Sequence, residues 1–349
     1  MGGMRLNLHQ EDAFFIEDVH FGVSAAMIIE KAQKLILQHD VSVILAFHSL
    51  NEVVAEEVFH FFNENRVFLI VSDTGGNLPP NVSGSPFVLI NSLQTWKSNW
   101  AMGEFVAKEL GTKIAFSVDL HDSGYNLDHL IRVGLDHYGS SNIFSQIAIQ
   151  DIDLKPIEKA YQELEFDGLL ANYNGGAGID FLMKFQKSTL CNQVNLIVSP
   201  FLFEAIEAKD ILNIPSVYTF HTWSEQFENS CNQRFVTNYT MKFGIAPNSF
   251  ALLGFESSLI LDKMRSHHLV ENINLLSKLD IVTPRGSLKR SEFWNGLDAS
   301  VYVLRKTCQD NEVDTQVVKQ LADPVKMWDK IPQLKEEMQS GWLNPYLCA

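Results

Sequence analysis

The residues best placed to do chemistry lie where a short apolar run ends and a helix begins. Residues 41–47 are almost wholly apolar and rich in β-branched side chains, which is typical of a parallel strand covered on both faces. His48 and Ser49 follow, and Ser49 has the S-x-x-E spacing of a capping box with Glu52. In an open α/β sheet, a strand that ends at a helix N-terminus offers unpaired N–H groups and a helix dipole to an anion. From this local sequence alone, we favour the interpretation that Ser49 only caps its own helix, and a ligand site is the alternative.

The motifs of common enzyme classes are missing from the sequence. Residues 175–178 have the wrong glycine spacing for a dinucleotide fingerprint and follow no first strand. No P-loop, G-x-S-x-G elbow or H-E-x-x-H motif occurs. Glu56 and Glu57 are neighbours on one predicted helix, and the adjacent His267 and His268 do not share one metal-facing side. The sequence therefore predicts no catalytic residue, no cofactor and no metal.

The composition is that of a globular protein with two domains. The 349 residues exceed one ordinary domain and suit two of about 150 residues each. The net charge of −15 argues against a nucleic-acid partner, because phosphate binding needs a basic face. The four cysteines contain no C-x-x-C pair, so neither a zinc site nor a redox motif is supported. Buried thiols and one disulfide are both compatible with their spacing.

The sequence carries no signal for the membrane or for export. No apolar run approaches the roughly 18 residues of a membrane-spanning helix. Residues 1–10 lack the basic-then-apolar pattern of a signal peptide. Taken alone, these features predict a cytoplasmic protein, provided that Met1 is the true start.

Strands and helices alternate through most of the chain, which predicts parallel sheets joined by right-handed crossovers. The strands of the first unit are predicted at residues 14–19, 41–47, 66–72 and 86–91. The strands of the second unit are predicted at residues 113–118, 143–149, 168–172, 194–198 and 215–220. We place the boundary between the two units at residues 91–94.

The last third of the chain is predicted to be mainly helical. Helices are expected at residues 224–239, 247–264 and 270–279, and a last strand at residues 300–306. The final forty or so residues are polar and helical in part, which indicates an appendage packed on one lobe.

Five stretches together resemble the type I periplasmic binding proteins, specifically the branched-chain amino acid receptors of ABC transporters. In chain order they are residues 25–49, 66–76 (RVFLIVSDTGG), 112–126 (TKIAFSVDLHDSGYN), 243–261 (FGIAPNSFALLGFESSLIL) and 281–288 (IVTPRGSL). Each stretch is weak alone, but their order and spacing make the resemblance specific over residues 12–307. It implies an α/β fold of two doubly wound, Rossmann-like lobes with a ligand cleft between them.

The resemblance also implies how the chain is divided. Lobe one would comprise residues 1–91 and 223–282, lobe two residues 92–222 and 283–307, and the appendage residues 308–349. Closure would be a hinge motion through crossovers near residues 91–94, 221–224 and 281–286.

In lobe one, the resemblance assigns ligand contacts to the loops after two strands. The first loop contributes Phe47, His48 and Ser49, with Ser49 on the ligand serine of the family. This favours ligand contact over pure capping for Ser49. The second loop contributes Thr74, Gly75 and Gly76. A glycine stands here where the family often has a hydroxyl residue, which puts that hydrogen bond in doubt.

In lobe two, the resemblance assigns contacts to Ser123, Tyr125, Asn172, Tyr173 and Phe201. Tyr173 either lines the pocket or packs in the core. Phe201 lies where the family has an acidic residue for a ligand ammonium group, which puts an α-amino acid ligand in doubt. The aromatic residues favour an apolar or aromatic acid instead. Of the family's aromatic-acid pair, Phe255 and Glu256, Phe255 is expected in the core.

One departure concerns the start of the chain. The family begins with a central strand of lobe one and a long helix, and this chain opens at what resembles the end of that helix. A missing central strand would leave costly unpaired backbone on its neighbours. We therefore expect a truncated or mis-started chain that has also lost an export signal, and by resemblance a periplasmic or extracellular location.

The function implied by the resemblance is capture of a small molecule between two lobes, without catalysis, for an ABC permease. The ligand would be an amino acid or a small organic acid or amide. A rival is a sensory module of the same fold that acts on a signalling partner, and the polar C-terminal tail favours it. A two-domain α/β enzyme is a third alternative, because fold does not fix function.

Overall fold

Three β-sheets and a set of flanking helices organise the part of the chain that the structure describes. The structure is a computed structural model, and it describes residues 24–48, 52–80, 85–119, 125–149, 151–205, 214–266, 278–309 and 312–337. The helices are α1 (Ala25–His39), α2 (Glu52–Asn65), α3 (Thr95–Phe105), α4 (Tyr125–His137), α5 (Lys155–Leu164), α6 (Gly175–Phe185), α7 (Ser230–Phe243), α8 (Ser249–Ser266) and α9 (Met327–Glu337).

The strands are numbered in the same way, in chain order. They are β1 (Val43–Phe47), β2 (Phe68–Asp73), β3 (Val88–Ser92), β4 (Lys113–Asp119), β5 (Ser141–Ala148), β6 (Gly168–Asn172), β7 (Asn195–Val198), β8 (Ile214–His221), β9 (Asp280–Thr283), β10 (Gly286–Arg290), β11 (Leu297–Asp298), β12 (Val301–Gln309) and β13 (Glu312–Leu321).

We call the unit built on the parallel sheet β1–β2–β3 lobe one. Its strands pair in sequence order, with Leu45 opposite Ile70 and Ile70 opposite Leu89. Helix α1 begins where the Ser24 hydroxyl accepts a hydrogen bond from the N–H of Met27 at 3.2 Å, and its buried face packs into the lobe-one core. Helix α8 packs on β2 and β3. The sheet is thus held between helices, as the alternating pattern predicts.

Strand β1 is less buried than its composition predicts. Leu45 is 40% exposed and Phe47 is 61% exposed, although both belong to an apolar run. Among the described residues, β1 is the edge strand of the sheet, paired only with β2. The expectation of a strand covered on both faces is therefore wrong for the described structure. The predicted strand at residues 14–19 lies outside the described residues.

We call the unit built on the seven-stranded sheet lobe two. Its order is β13-β12-β8-β7-β6-β4-β5, in which β4 to β8 are parallel and β12 runs antiparallel to β8 and β13. Strand β6 shows why its sequence is continuously apolar. Leu169 and Ala171 face one core cluster, and Leu170 faces another on the opposite side of the sheet. Both faces of this sheet are covered.

Helices α3 and α4 of lobe two approach each other closely at two glycines. A Cβ atom on Gly103 would lie 2.2 Å from the carbonyl oxygen of Ile131. A Cβ atom on Gly134 would lie 2.4 Å from the carbonyl oxygen of Trp100. Larger residues would push the two helices apart, so glycine is required at both positions by packing.

The C-terminal third differs from the expected division. Strands β9, β10 and β11 form a small antiparallel sheet, and Ile281, Leu288 and Leu297 pack in the lobe-one core. Residues 286–299, expected in lobe two, therefore lie with lobe one, and the chain crosses to lobe two between Asp298 and Val301. Residues 312–321, expected in an appendage, form the edge strand β13 of lobe two.

The described end of the chain is also part of lobe two. Helix α9 buries Met327, Ile331 and Leu334 in a cluster with Trp96 and Trp100. Helix α7 begins at Ser230, six residues later than expected, because the Asn229 side chain caps it by accepting from the N–H of Asn232. Most of the helix expected at residues 270–279 lies outside the described residues.

Candidate functional site

The expected lobe-one loops lie at the carboxyl ends of β1 and β2. The backbone N–H of His48 donates to the carbonyl of Ser72 at 3.0 Å, which extends the ladder between the two strands. The exposed Phe47 meets Phe250 of α8 edge to face, with ring centroids 5.7 Å apart. Ser49 lies outside the described residues. The aromatic surface beside this loop can take part in binding an apolar ligand.

The loop after β2 is fixed by contacts to the start of α3. The carbonyls of Thr74 and Gly75 accept from the N–H groups of Thr95 and Trp96 at 3.2 and 2.8 Å. Gly75 has φ of +72°, and a Cβ atom there would lie 2.5 Å from Ser92 Oγ. This glycine is therefore needed for the turn itself, and the following Gly76 is half-buried.

Of the ligand contacts expected in lobe two, Tyr173 lies in the core. Tyr173 is fully buried, its hydroxyl lies 2.7 Å from Ser117 Oγ, and its ring stacks on Phe181 with centroids 4.9 Å apart. Burial raises the pKa of its phenol to about 12. Of the two interpretations of Tyr173, its surroundings favour core packing. Ser123 lies outside the described residues, and Tyr125 begins helix α4.

Asn172 and Phe201 line one small cavity of about 40 Å³ at the carboxyl ends of β6 and β7. Phe201 is half-buried and meets the ring of His221 edge to face, with centroids 6.1 Å apart. The cavity has room for a few water molecules only. Both residues nonetheless lie at the edge of the sheet where open α/β folds bind ligands.

A buried arginine connects the passages between the lobes. Arg285 lies in the turn between β9 and β10 and forms a two-pronged ion pair with Glu256 of α8, at 2.9 Å from Nε and 2.7 Å from Nη2. Its Nη1 donates to the carbonyl of Ser92 at 2.7 Å and to Thr222 Oγ1 at 3.4 Å. Its Nη2 also donates to Asn91 Oδ1 at 2.7 Å. All five N–H donors of the guanidinium are used.

The partners of Arg285 belong to two separate crossovers. Asn91 and Ser92 end β3, where the chain leaves lobe one, and Thr222 follows β8, where the chain returns. Thr222 Oγ1 also donates directly to the carbonyl of Leu93 at 3.1 Å. Gln94 extends the network to the third passage, because its side-chain amide donates to the carbonyl of Leu297. We call Arg285, Glu256, Asn91, Ser92 and Thr222 the hinge cluster.

Sequence reasoning singled out Glu256 but not Arg285. The aromatic member of the pair, Phe255, packs against Phe235 with centroids 4.7 Å apart. The acid is fully buried and turned to Arg285. An arginine between Pro284 and Gly286 in a predicted turn gave no sign of burial, because its partners lie far away along the chain.

Two further ionisable groups are buried close to the hinge cluster. Burial raises the pKa of Asp73 to about 6. Hydrogen bonds from Ser92 and the Gly75 backbone and the charge of Arg285 act in the opposite direction and lower this pKa, but burial has the larger effect. Burial also lowers the pKa of His221 to about 3, helped by the charges of Arg285 and Lys306. His221 is therefore neutral at physiological pH. Its Nδ1 accepts from the N–H of Trp223 at 3.0 Å, so its proton is on Nε2, 3.2 Å from Ser249 Oγ.

The described residues offer no metal site. Within these ranges, no group of three or more His, Cys, Asp or Glu side chains is arranged to hold a metal ion. Cys191 and Cys231 are buried free thiols. Across the same ranges, no helix has both the length and the apolar character needed to cross a membrane.

Comparison with known proteins identifies the architecture. A family model described as periplasmic binding protein matches residues 21–264. No curated protein sequence matches the chain. An ABC transporter substrate-binding protein from Sphaerobacter thermophilus has a similar structure, with a TM-score of 0.70 and 18% identity over 86% of this chain and 85% of that one.

Two other similar structures contain ligands. A solute-binding protein of an ABC transporter from Rhodopseudomonas palustris BisB5, in complex with 3,4-dihydroxybenzoic acid, has a TM-score of 0.66 and 17% identity, over 86% of this chain and 84% of that one. The branched-chain amino acid transporter substrate-binding protein LivJ from Streptococcus pneumoniae, in complex with isoleucine, has a TM-score of 0.62 and 14% identity, over 85% and 84%. At these identities, the likeness shows the fold.

Proposed function

The chain belongs to the periplasmic binding protein family, and from this premise we propose that it captures a small apolar or aromatic carboxylic acid between its two lobes for an ABC transporter. The observation that carries the proposal is the hinge cluster. One buried guanidinium joins both strand-end crossovers, and this supports closure of the two lobes through residues at the ends of these strands. The location would be outside the cytoplasm, and binding would involve no catalysis.

The ligand would be held by both lobes. Backbone N–H groups after β1 and the hydroxyl of Ser49 would receive its carboxylate, with Phe47 beside them. Phe201 would provide an apolar contact from lobe two. The packing of Tyr173 in the core removes one aromatic residue from the expected pocket wall.

Phe201 is the residue that decides the ligand class. It lies at the carboxyl end of β7, next to the small cavity that Asn172 also lines. A phenyl ring there cannot neutralise an ammonium group, whereas it can pack against an aromatic body. This supports an acid such as benzoate over a branched-chain amino acid, the class that the sequence resemblance first implied.

Thermal unfolding with a panel of ligands tests this proposal. We expect benzoate and 3,4-dihydroxybenzoate to raise the Tm of the protein more than isoleucine or leucine at equal concentration, because only bound ligand stabilises the fold. Native mass spectrometry of the purified protein would identify any acid that is already bound. Stabilisation by isoleucine alone would contradict the proposed ligand class, and no stabilisation by any small acid or amino acid would contradict the receptor function.

Substitution of Phe201 sharpens the test. In Phe201→Glu, a carboxylate would repel the ligand carboxylate and could pair with an ammonium group. We expect benzoate affinity to fall at least about tenfold, or ~1.4 kcal/mol, and isoleucine affinity to rise. Phe201→Gln is the matched control, because it removes the ring without adding charge. Ser49→Ala should weaken benzoate binding both in the wild-type protein and in Phe201→Gln.

A further inference from the structure

A second, larger cavity lies beside the hinge cluster. Its volume is about 430 Å³, within the range of roughly 300–1,000 Å³ typical of small-molecule sites. None of the described residues expected in the cleft lines it. We call it the hinge cavity, because Trp223 and Ser224 of the second crossover form part of its wall.

The walls of the hinge cavity come from both lobes. Thr219 of β8 and Lys306 of β12 belong to the sheet of lobe two. The opposite wall is the segment of residues 245–249, which leads into α8 of lobe one. A molecule bound here would touch both lobes, so its affinity would depend on the angle between them.

Two positively charged elements line the hinge cavity, although the protein has a net charge of −15. Lys306 is one lining residue, and its ammonium donates to Thr315 Oγ1 at 3.2 Å and lies 5.1 Å from the ring centre of Phe203. The other positive element is the N-terminus of the 18-residue helix α8, whose first residue Ser249 lines the cavity. The acidic lining residue, Glu225, is exposed.

Apolar and polar surfaces alternate along the rest of the lining. The indole of Trp223 is fixed by its N–H, which donates to Asn232 Oδ1 at 2.8 Å, and its ring and that of Phe203 offer apolar contact. Thr219 is 1% exposed, and its hydroxyl has no hydrogen-bond partner in the described structure. A buried hydroxyl without a partner destabilises the fold, and a hydrogen bond to a ligand oxygen would remove this penalty.

We propose that the hinge cavity is a second binding site, for a small carboxylic acid with an apolar or aromatic body. The carboxylate lies between Lys306 and the N-terminus of α8, and the body packs against Trp223 and Phe203. This site lies beside the small cavity lined by Asn172 and Phe201, with Pro200 in the wall of both, and the number of molecules bound per chain distinguishes the two.

Calorimetric titration with 4-nitrobenzoate tests the site through the number of molecules bound per chain. Ala246 is an exposed lining residue, so Ala246→Trp fills the hinge cavity without entering a core. We expect this number to fall by one in Ala246→Trp and to stay unchanged in the control Ala246→Ser. An equal number in the wild type and Ala246→Trp, or no binding to the wild type, would overturn the proposal. Molecules that still bind to Ala246→Trp would be assigned to the cleft.

A charge variant tests the same site without filling it. Lys306→Met should weaken 4-nitrobenzoate binding at the hinge cavity at least tenfold. Lys319→Met is the matched control, because it removes the same charge from the neighbouring strand β13, where Lys319 is exposed and 3.4 Å from Glu109. The neutral analogue 4-nitrobenzamide should bind the wild type at least tenfold more weakly. Equal affinities for acid and amide, or equal loss in the two lysine variants, would contradict a carboxylate site.

Discussion

The hinge cluster and the hinge cavity lie side by side at the end of β8, and they treat buried polar groups in opposite ways. In the hinge cluster, each of the five N–H donors of Arg285 has an acceptor. In the hinge cavity, the buried hydroxyl of Thr219 has no acceptor or donor among the residues that the structure describes. Because native proteins pair almost all buried polar groups, complete pairing of Arg285 fits a structural role, and the hydroxyl of Thr219 is a group that a bound ligand could satisfy.

The comparison also separates two mechanical roles. The hinge cluster joins crossovers that are distant in sequence, and under the proposed function it would hold the axis between the lobes in place. The hinge cavity has walls on both lobes, so its shape changes when the lobes move. If both proposals hold, a ligand in the hinge cavity would alter closure of the lobes about that axis.

The largest expected effect is on the hinge cluster. Arg285→Met leaves Glu256 buried without a counter-charge, which should cost about 3–5 kcal/mol in the free energy of unfolding. Lys289→Met is the control, because its pair with Asp280, 3.7 Å away, is exposed and should contribute no more than about 1 kcal/mol. Urea unfolding measures both. Similar losses in the two variants would show that the hinge cluster is not specially stabilising.

The next effect is a pH dependence that arises from His221. Its folded pKa of about 3 lies below the ordinary value of 6.5, so below pH 6.5 the unfolded chain binds more protons than the folded one. This contribution to stability is complete above pH 6.5 and is lost as the pH falls towards 3. In His221→Asn, which can still accept from the N–H of Trp223, we expect a smaller loss of stability between pH 7 and pH 5. An unchanged loss would show that His221 is not the buried neutral group.

Asp73 should change the pH dependence of stability in the direction opposite to His221. Its folded pKa of about 6 lies above the ordinary value of 3.8, so its contribution is complete below pH 3.8 and is lost as the pH rises through 6. We expect Asp73→Asn to gain stability relative to the wild type as the pH increases from 4 to 7. Unfolding curves at those two pH values test this, and a constant difference between the proteins would contradict it.

The smallest expected effect is in the hinge cavity. Thr219→Val keeps the shape of the side chain and removes a buried hydroxyl without a partner, so it should leave stability unchanged or raise it by about 1 kcal/mol. Thr222→Val removes a hydroxyl of the hinge cluster that is paired with the carbonyl of Leu93 and with Arg285. This variant should destabilise the folded protein. If Thr219→Val were the more damaging variant, the contrast between the two regions would be wrong.

The parallel core of lobe two was predictable from sequence because its signals are local. Strand β6 was predicted at its observed bounds, since a short apolar run lies between a charged helix and a glycine-rich turn. Strand β13 was missed, although Val313, Thr315 and Val317 alternate with polar residues, because its polar composition resembles a tail. The alternation was the signal that could have found it.

The site was harder to predict because its key contacts are distant in sequence. Arg285 and Asn91 are separated by 194 positions, and no pattern around either residue indicates the other. Residues 286–299 were assigned to the wrong side of the hinge for the same reason, since only packing in the core shows that Leu288 and Leu297 lie with lobe one. The burial of Tyr173 likewise depends on Ser117 and Phe181 and not on its own loop.

The most direct test of a two-lobed receptor is small-angle X-ray scattering with and without a saturating acid that raises the Tm. If the lobes close about the hinge cluster, the radius of gyration of the wild-type protein should decrease on binding, and an acid that does not raise the Tm should leave it unchanged. Tight binding with no change in the radius of gyration would contradict closure of the lobes around the ligand.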